Sequence, residues 1–360
     1  MEENITKPRY RRKNKNKTSR VDALTEAQKI AFAPFTFQTV ACLLDLDILE
    51  QLSKQPLTKQ EIMEKCNVSE YCIEALFDAS LYIGLIEKNC ENKFLITPLA
   101  ETFLYDEMTK VNFNFMKDVC YLGANEMLTS FKESRPAGLQ KYYFDSQTIY
   151  SKLPELPEKM KKSWYEFDHY YSDDCFSEVL NIIFNQKTEK IFDIGGNTGK
   201  FEKACLEYDK NCEITMIDLP ENIEVAKKNF DNPRCKFWST NVLEKENTLP
   251  DLSGAVFMSQ FLDCFSKEQI QNILKKIAQK SDKDIRIFIL EPFIDKQQFS
   301  GASYALSHIS LYFTCMANGK SKMYNESDMK EIIENSDFKI SKIYQDISKH
   351  DYTLLECIKK

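Results

Sequence analysis

Glycine and proline are scarce in this chain, 9 and 11 of 360 residues, which excludes a collagen-like or low-complexity protein and leaves a packed globular one. No apolar run approaches the roughly 18 residues that a membrane span needs, and no apolar signal-peptide core opens the sequence. The 12 cysteines contain no Cys-x-x-Cys pair. That excludes the usual zinc frameworks and fits reduced thiols in a cytoplasmic protein; no metal is expected. Positive charge is not in excess either. The net charge of −7 gives no global attraction for nucleic acid or an anionic membrane. What is present is 43% hydrophobic residues over 360 positions, more than one core of ordinary size accommodates, so two domains are expected.

Residues 1–20, MEENITKPRYRRKNKNKTSR, are basic and carry almost nothing to bury, which reads as a solvated, disordered tail. A winged-helix-like region is expected over 21–105. Thr58 precedes Glu61 at capping-box spacing, Ser69 is placed to cap the next helix, and Gly84 to end it. LIEKNCENKFLIT then reads as two short strands around a polar turn. In a DNA reader the third helix would carry Lys or Arg, whereas this one carries Glu70, Glu74 and Asp78. The expectation is dimerisation, not nucleic-acid binding. Residues 106–185 read as a helical linker and substrate-pocket region, with the Pro-containing KYYFDSQTIYSKLPELPEKM as loop. From 186 to 360 short apolar runs alternate with helical segments, the pattern of a doubly wound, mostly parallel α/β sheet.

KIFDIGGNTGKF is the most informative segment. A strand ends at Asp193, and Gly195, Gly196 and Gly199 make a tight turn before a helix. The spacing is neither GxGxxG nor a phosphate-cradling P-loop. An acid just before such a loop would face a cationic amino-acid moiety. Asp218 closes the next strand, where a carboxylate accepts from ribose hydroxyls.

DIGGNTGKF, MIDLP, FMSQFLDCFSKEQIQNILKKI and IFILEPF, in that order, resemble the motifs of class I S-adenosylmethionine-dependent methyltransferases. More narrowly they resemble the plant and bacterial small-molecule O-methyltransferases, caffeic acid and hydroxyindole enzymes among them, which also carry an N-terminal winged-helix dimerisation domain. The resemblance implies a Rossmann-like catalytic domain, S-adenosylmethionine as cofactor, a small-molecule acceptor and a homodimer. It implies that Gly195 and its neighbours hold the methionine end of the cofactor, and that Asp218 binds the ribose with Leu219 packing on the adenine. Asn241, followed by Val242, stands where the family usually has Asp beside the adenine amino group. Ser259 occupies a position often Lys or Arg, and Ser172 falls near a cofactor-contacting stretch.

One departure bears on the chemistry. The family's catalytic His is replaced by Asp263, in Asp263-Cys264-Phe265-Ser266, and a carboxylate is a weak base for a phenol unless burial raises its pKa. Glu291 matches the acid that orients that His, and no clear match exists for the family's second acid. His308 and His169 become candidate substitute bases, while His350 reads as exposed. Tyr171, Tyr312, Phe313 and Met316 read as core or as a wall around a planar acceptor. The expected reaction is methyl transfer to oxygen of an aromatic or polyketide-like molecule. The alternatives are a methyltransferase fold repurposed for decarboxylation or hydroxylation, and a winged-helix ligand-sensing regulator.

Overall fold

The computed structural model describes residues 19–244 and 249–360. Most of the expected tail lies outside these residues. Ser19 and Arg20 do not belong to a tail: Arg20 starts a helix, Arg20–Ala31, and Ser19 Oγ accepts the Asp22 amide at 3.1 Å, an N-cap. The chain divides into two compact units at Lys117/Asp118.

In the first unit the helices Ala33–Asp45, Ile48–Lys54, Lys59–Cys66 and Glu70–Ile83 precede a two-stranded antiparallel wing, β1 (Ile86–Lys88) and β2 (Phe94–Ile96). The local signals act as expected. Thr58 and Glu61 form a reciprocal capping box, Ser69 accepts the Cys72 amide, and Gly84 ends its helix at φ 85°. Leu43, Ile48, Leu49, Leu52, Ile62, Ile73 and Phe77 make one core, while Glu70, Glu74 and Asp78 stay exposed. The helix Glu107–Phe115 belongs to this unit, so the boundary falls later than the expected residue 105. Phe113 is what ties it in, stacking on Phe37 with ring centroids 4.5 Å apart. The first helix, by contrast, buries none of its residues: Val21 is 71%, Leu24 56% and Ile30 76% exposed.

The second unit is built on a seven-stranded sheet of β3 (Lys190–Ile194), β4 (Glu213–Asp218), β5 (Cys235–Ser239), β6 (Ala255–Ser259), β7 (Arg286–Glu291), β8 (Phe338–Ile347) and β9 (Tyr352–Lys359), in spatial order β5-β4-β3-β6-β7-β9-β8. β3 to β7 run parallel, and β9 enters antiparallel between β7 and β8. Both faces are covered, which is why the strands read as nearly unbroken apolar runs. In β7, Ile287 and Ile289 join the core under the helix Lys267–Lys280, and Phe288 and Leu290 join the opposite core under Phe176–Ile183 and Lys200–Tyr208. That split is the two-residue period of a strand. The Pro-containing stretch expected as pure loop includes a short 3-10 helix, Tyr150–Glu155, anchored by buried Leu153. No described helix is long and apolar enough to cross a membrane.

Candidate active site

Strand order reverses between β3 and β6, and in open parallel sheets the crevice at such a point, beyond the carboxyl ends, is where ligands bind. Four of the sequence's candidates stand on those ends: Gly195 after β3, Asp218 on β4, Ser259 on β6 and Glu291 on β7.

The glycine loop needs the left-handed backbone its composition allows. Gly195 has φ 94° and Asn197 φ 51°, and a Cβ on Gly195 would meet the Phe261 ring at 2.4 Å. Only glycine fits there. Gly199, at φ 84°, is the N-cap of Lys200–Tyr208, so the positive end of that helix faces the turn.

Asp218 is held by three donors. Its Oδ2 accepts the Asn197 amide at 2.8 Å, and Oδ1 accepts the Leu219 amide at 2.6 Å and the Asn222 side chain at 2.9 Å. Burial pushes its pKa up, and these bonds oppose the rise. Asp193 does not face the crevice as expected. It is 3% exposed and pairs with buried Glu202 beneath Gly196, whose Cβ would fall 2.4 Å from Glu202 Oε1 and 3.0 Å from Asp193 Oδ2. Burial lifts Asp193 to about 7 and Glu202 well above the carboxylate range, so the pair holds a proton between them.

The other cofactor-side candidates vary. Ser259 Oγ is buried without a hydrogen-bond partner among the described residues, as is Asn222 Oδ1 beside Asp218. Orphaned polar atoms and a half-open glycine cradle in one crevice fit a polar nucleoside carrying an amino acid. Val242 is buried, and Leu219 half-buried at the start of Pro220–Asn229. Asn241 Oδ1 takes the Leu243 amide at 3.0 Å, which leaves it one lone pair. Ser172 closes the helix Glu158–Ser172 and gives its hydroxyl to Asp173 at 3.0 Å.

Asp263 sits on a short 3-10 turn, Leu262–Cys264, after β6 and is 4% exposed. It is not a helix cap, because Ser266 fills that role for Lys267–Lys280. Burial, with the charge of Asp168 adding to it, raises Asp263 to about 7. Glu291 Oε1 accepts the Phe261 and Leu262 amides at 3.2 and 2.8 Å, which fixes the turn. Burial, with the charge of Asp263 adding to it, pushes Glu291 well above its ordinary range. Around the turn, Tyr324 Oη donates to the Phe265 carbonyl at 2.7 Å and Trp164 Nε1 donates to Tyr312 Oη at 2.9 Å.

The histidines are distributed otherwise than expected. His308 is exposed, its ring stacked on Tyr304 and its Nδ1 2.7 Å from that residue's carbonyl, so it leaves the set of candidate bases. His350, expected to be exposed, has a side chain only 7% exposed, packed between Tyr170 and Tyr171. His169 stacks on Tyr165 beside Asp168 and Asp173. Met316 and Phe313 are buried, with Met316 pressed against Gly123, which favours the core reading.

Sequence reading missed Asp168, one helical turn before Ser172, whose Oδ2 accepts the Asn197 side chain at 2.8 Å. The signal was Asn197 itself, a left-handed residue with a polar side chain inside a glycine turn.

Residues 25–94 match the Dimerisation2-like domain, and residues 157–339, just over half the chain, match the O-methyltransferase domain. O-methyltransferase 7 of Dictyostelium discoideum is 22% identical over 302 residues, covering 84% of this chain and 85% of that one. The mitomycin 7-O-methyltransferase MmcR is similar in fold, with a TM-score of 0.72 at 16% identity over 95% of this chain and 99% of MmcR. NcsB1, an O-methyltransferase from neocarzinostatin biosynthesis solved with S-adenosylmethionine and 2-hydroxy-5-methyl naphthoic acid, gives a TM-score of 0.66 at 16% identity over 90% and 96% of the two chains. With a Dimerisation2-like domain ahead of its catalytic unit, the chain belongs to the O-methyltransferase domain family and is an S-adenosylmethionine-dependent methyltransferase.

Proposed function

We propose that the chain methylates a hydroxyl of an aromatic or polyketide-like small molecule, with Asp263 as general base and Glu291 as its positioning residue. The cofactor, S-adenosylmethionine, supplies an electrophilic methyl group on a sulfonium. Asp218, Leu219, Asn241, Val242 and Ser259 would hold its nucleoside, and the loop Gly195–Gly199 its amino-acid end. The observation that carries the reading is the burial of Asp263. An exposed Asp titrates near 4 and is a poor partner for a phenol, whereas a base near 7 is matched to neutral pH. Protonated Glu291 adds no second negative charge and keeps the turn in place. An aromatic acceptor is supported by the tyrosines and Trp164 around the turn, and by the hydroxynaphthoic acid bound in NcsB1.

The same reading includes a homodimer formed through the first unit, a cytoplasmic location and no nucleic-acid partner, the last supported by the exposed acids of Glu70–Ile83. The test is incubation with S-adenosylmethionine and a panel of phenolic acceptors, read by mass spectrometry. A product heavier by one methyl group, absent in Gly195→Val, is the expected result. A product lighter by carbon dioxide, or heavier by oxygen, would replace methyl transfer with decarboxylation or hydroxylation.

A further inference from the structure

The amino-acid end of the cofactor carries an ammonium group, and a buried ammonium needs an acidic partner. Asp193 cannot fill that role as an anion aimed at the crevice, because it shares a proton with Glu202 underneath Gly196. Another acid stands at the loop. Asp168 projects from the helix Glu158–Ser172 and its Oδ2 takes the side-chain amide of Asn197 at 2.8 Å. The backbone amide of the same Asn197 goes to Asp218 Oδ2, also at 2.8 Å. One loop residue therefore ties the ribose-side acid to Asp168.

Two further observations place Asp168 on the crevice. Its side chain remains 30% exposed, although the surrounding protein is dense enough that burial is the main influence raising its pKa. Its charge is felt by Asp263 on the catalytic turn and by Tyr165, which also feels Asp218. So Asp168 is bonded to the glycine loop and within electrostatic reach of the turn that carries the base. Its Oδ1 takes no hydrogen bond from the described residues, and the His169 ring lies 3.8 Å from Oδ2.

We propose that Asp168, oriented by Asn197, receives the α-ammonium group of the cofactor's methionine moiety in place of Asp193. The inference rests on the cofactor reading above. It makes Asp168 a specificity residue for the intact amino acid, with no part in holding the nucleoside.

The test is calorimetric titration of the full chain with S-adenosylhomocysteine and with 5′-methylthioadenosine, which lacks the amino acid. Asp168→Asn should weaken S-adenosylhomocysteine roughly 10- to 100-fold, the range of a charge-assisted bond, and change 5′-methylthioadenosine less than about twofold, within error of a contact not made. Asn197→Gly keeps the backbone conformation and frees Asp168, so it should lower the same preference only a few-fold; it serves if Asp168→Asn does not fold. Equal weakening of both ligands would make Asp168 a structural support of the loop and overturn the proposal. So would no change for either. Wild-type protein that binds neither ligand would overturn the cofactor reading itself, a result distinct from both.

Discussion

Asp218, on β4, and Asp263, on the turn after β6, stand on either side of β3 at one sheet edge, and the proposed function gives them opposite tasks. Asp218 receives three hydrogen bonds, two of them from backbone amides, and these work against the rise that burial imposes. Asp263 receives bonds from one residue, Cys264, through its backbone amide and its weak thiol at 3.4 Å, and burial carries it to about 7. The amides of Phe261, Leu262 and Asp263 in the same turn go to Glu291. On the proposed function, the acid with more backbone donors is the one that binds the cofactor, and the acid with fewer is the one that accepts a proton.

The comparison breaks most visibly at Asp263. Asp263→Asn should lower turnover by about 10² to 10⁴ and leave S-adenosylhomocysteine affinity unchanged by calorimetry. In the wild type, kcat/KM should fall tenfold per pH unit below an apparent pKa of about 7, because a protonated carboxyl takes up no further proton; a flat profile would remove Asp263 as base. Asp218→Asn should give the complementary result, with cofactor affinity weakened about 10- to 100-fold and turnover retained at saturating cofactor.

A third acidic site sharpens the contrast through stability. Folding raises the Asp193–Glu202 pair above its unfolded values, so its contribution is complete below about pH 4, the ordinary value, and is lost as pH rises through about 7. Glu202→Gln should therefore match wild type near pH 4 and melt higher at pH 8, by roughly 2–4 °C if about 1 kcal/mol is recovered. The smallest effect is expected at Glu291. Glu291→Gln keeps the acceptor oxygen and mimics the protonated acid, so turnover should change less than about threefold, a hydrogen bond being retained. A loss as large as that of Asp263→Asn would mean that Glu291 acts as an anion.

Much of this arrangement was legible in the residue order. Strand–helix alternation and the ordered motifs gave the sheet, and the positions of Gly195, Asp218, Ser259 and Glu291 at strand ends followed. What could not be read was the direction of side chains inside the loop. Asp193 looks like a ligand-facing acid until Glu202, nine positions on, is found against it. His308 fits a helix near the acceptor by sequence, yet faces solvent, because a one-residue step on a helix turns a side chain by about 100°. Asp168 was invisible for another reason: its partner, Asn197, is 29 residues away.

The first helix carries a consequence for how the protein behaves on dilution. Twelve residues is about the length at which a helix alone in water is marginal, and Arg20–Ala31 draws nothing from burial against the described residues of its own chain. Val21, Leu24 and Ile30, followed by Phe32 and Phe35, become a source of stability only when another surface covers them. Should a second copy cover them in the proposed homodimer, subunit concentration would enter the folding equilibrium of this segment as it enters that of a ligand site. The catalytic unit builds its two cores from its own residues.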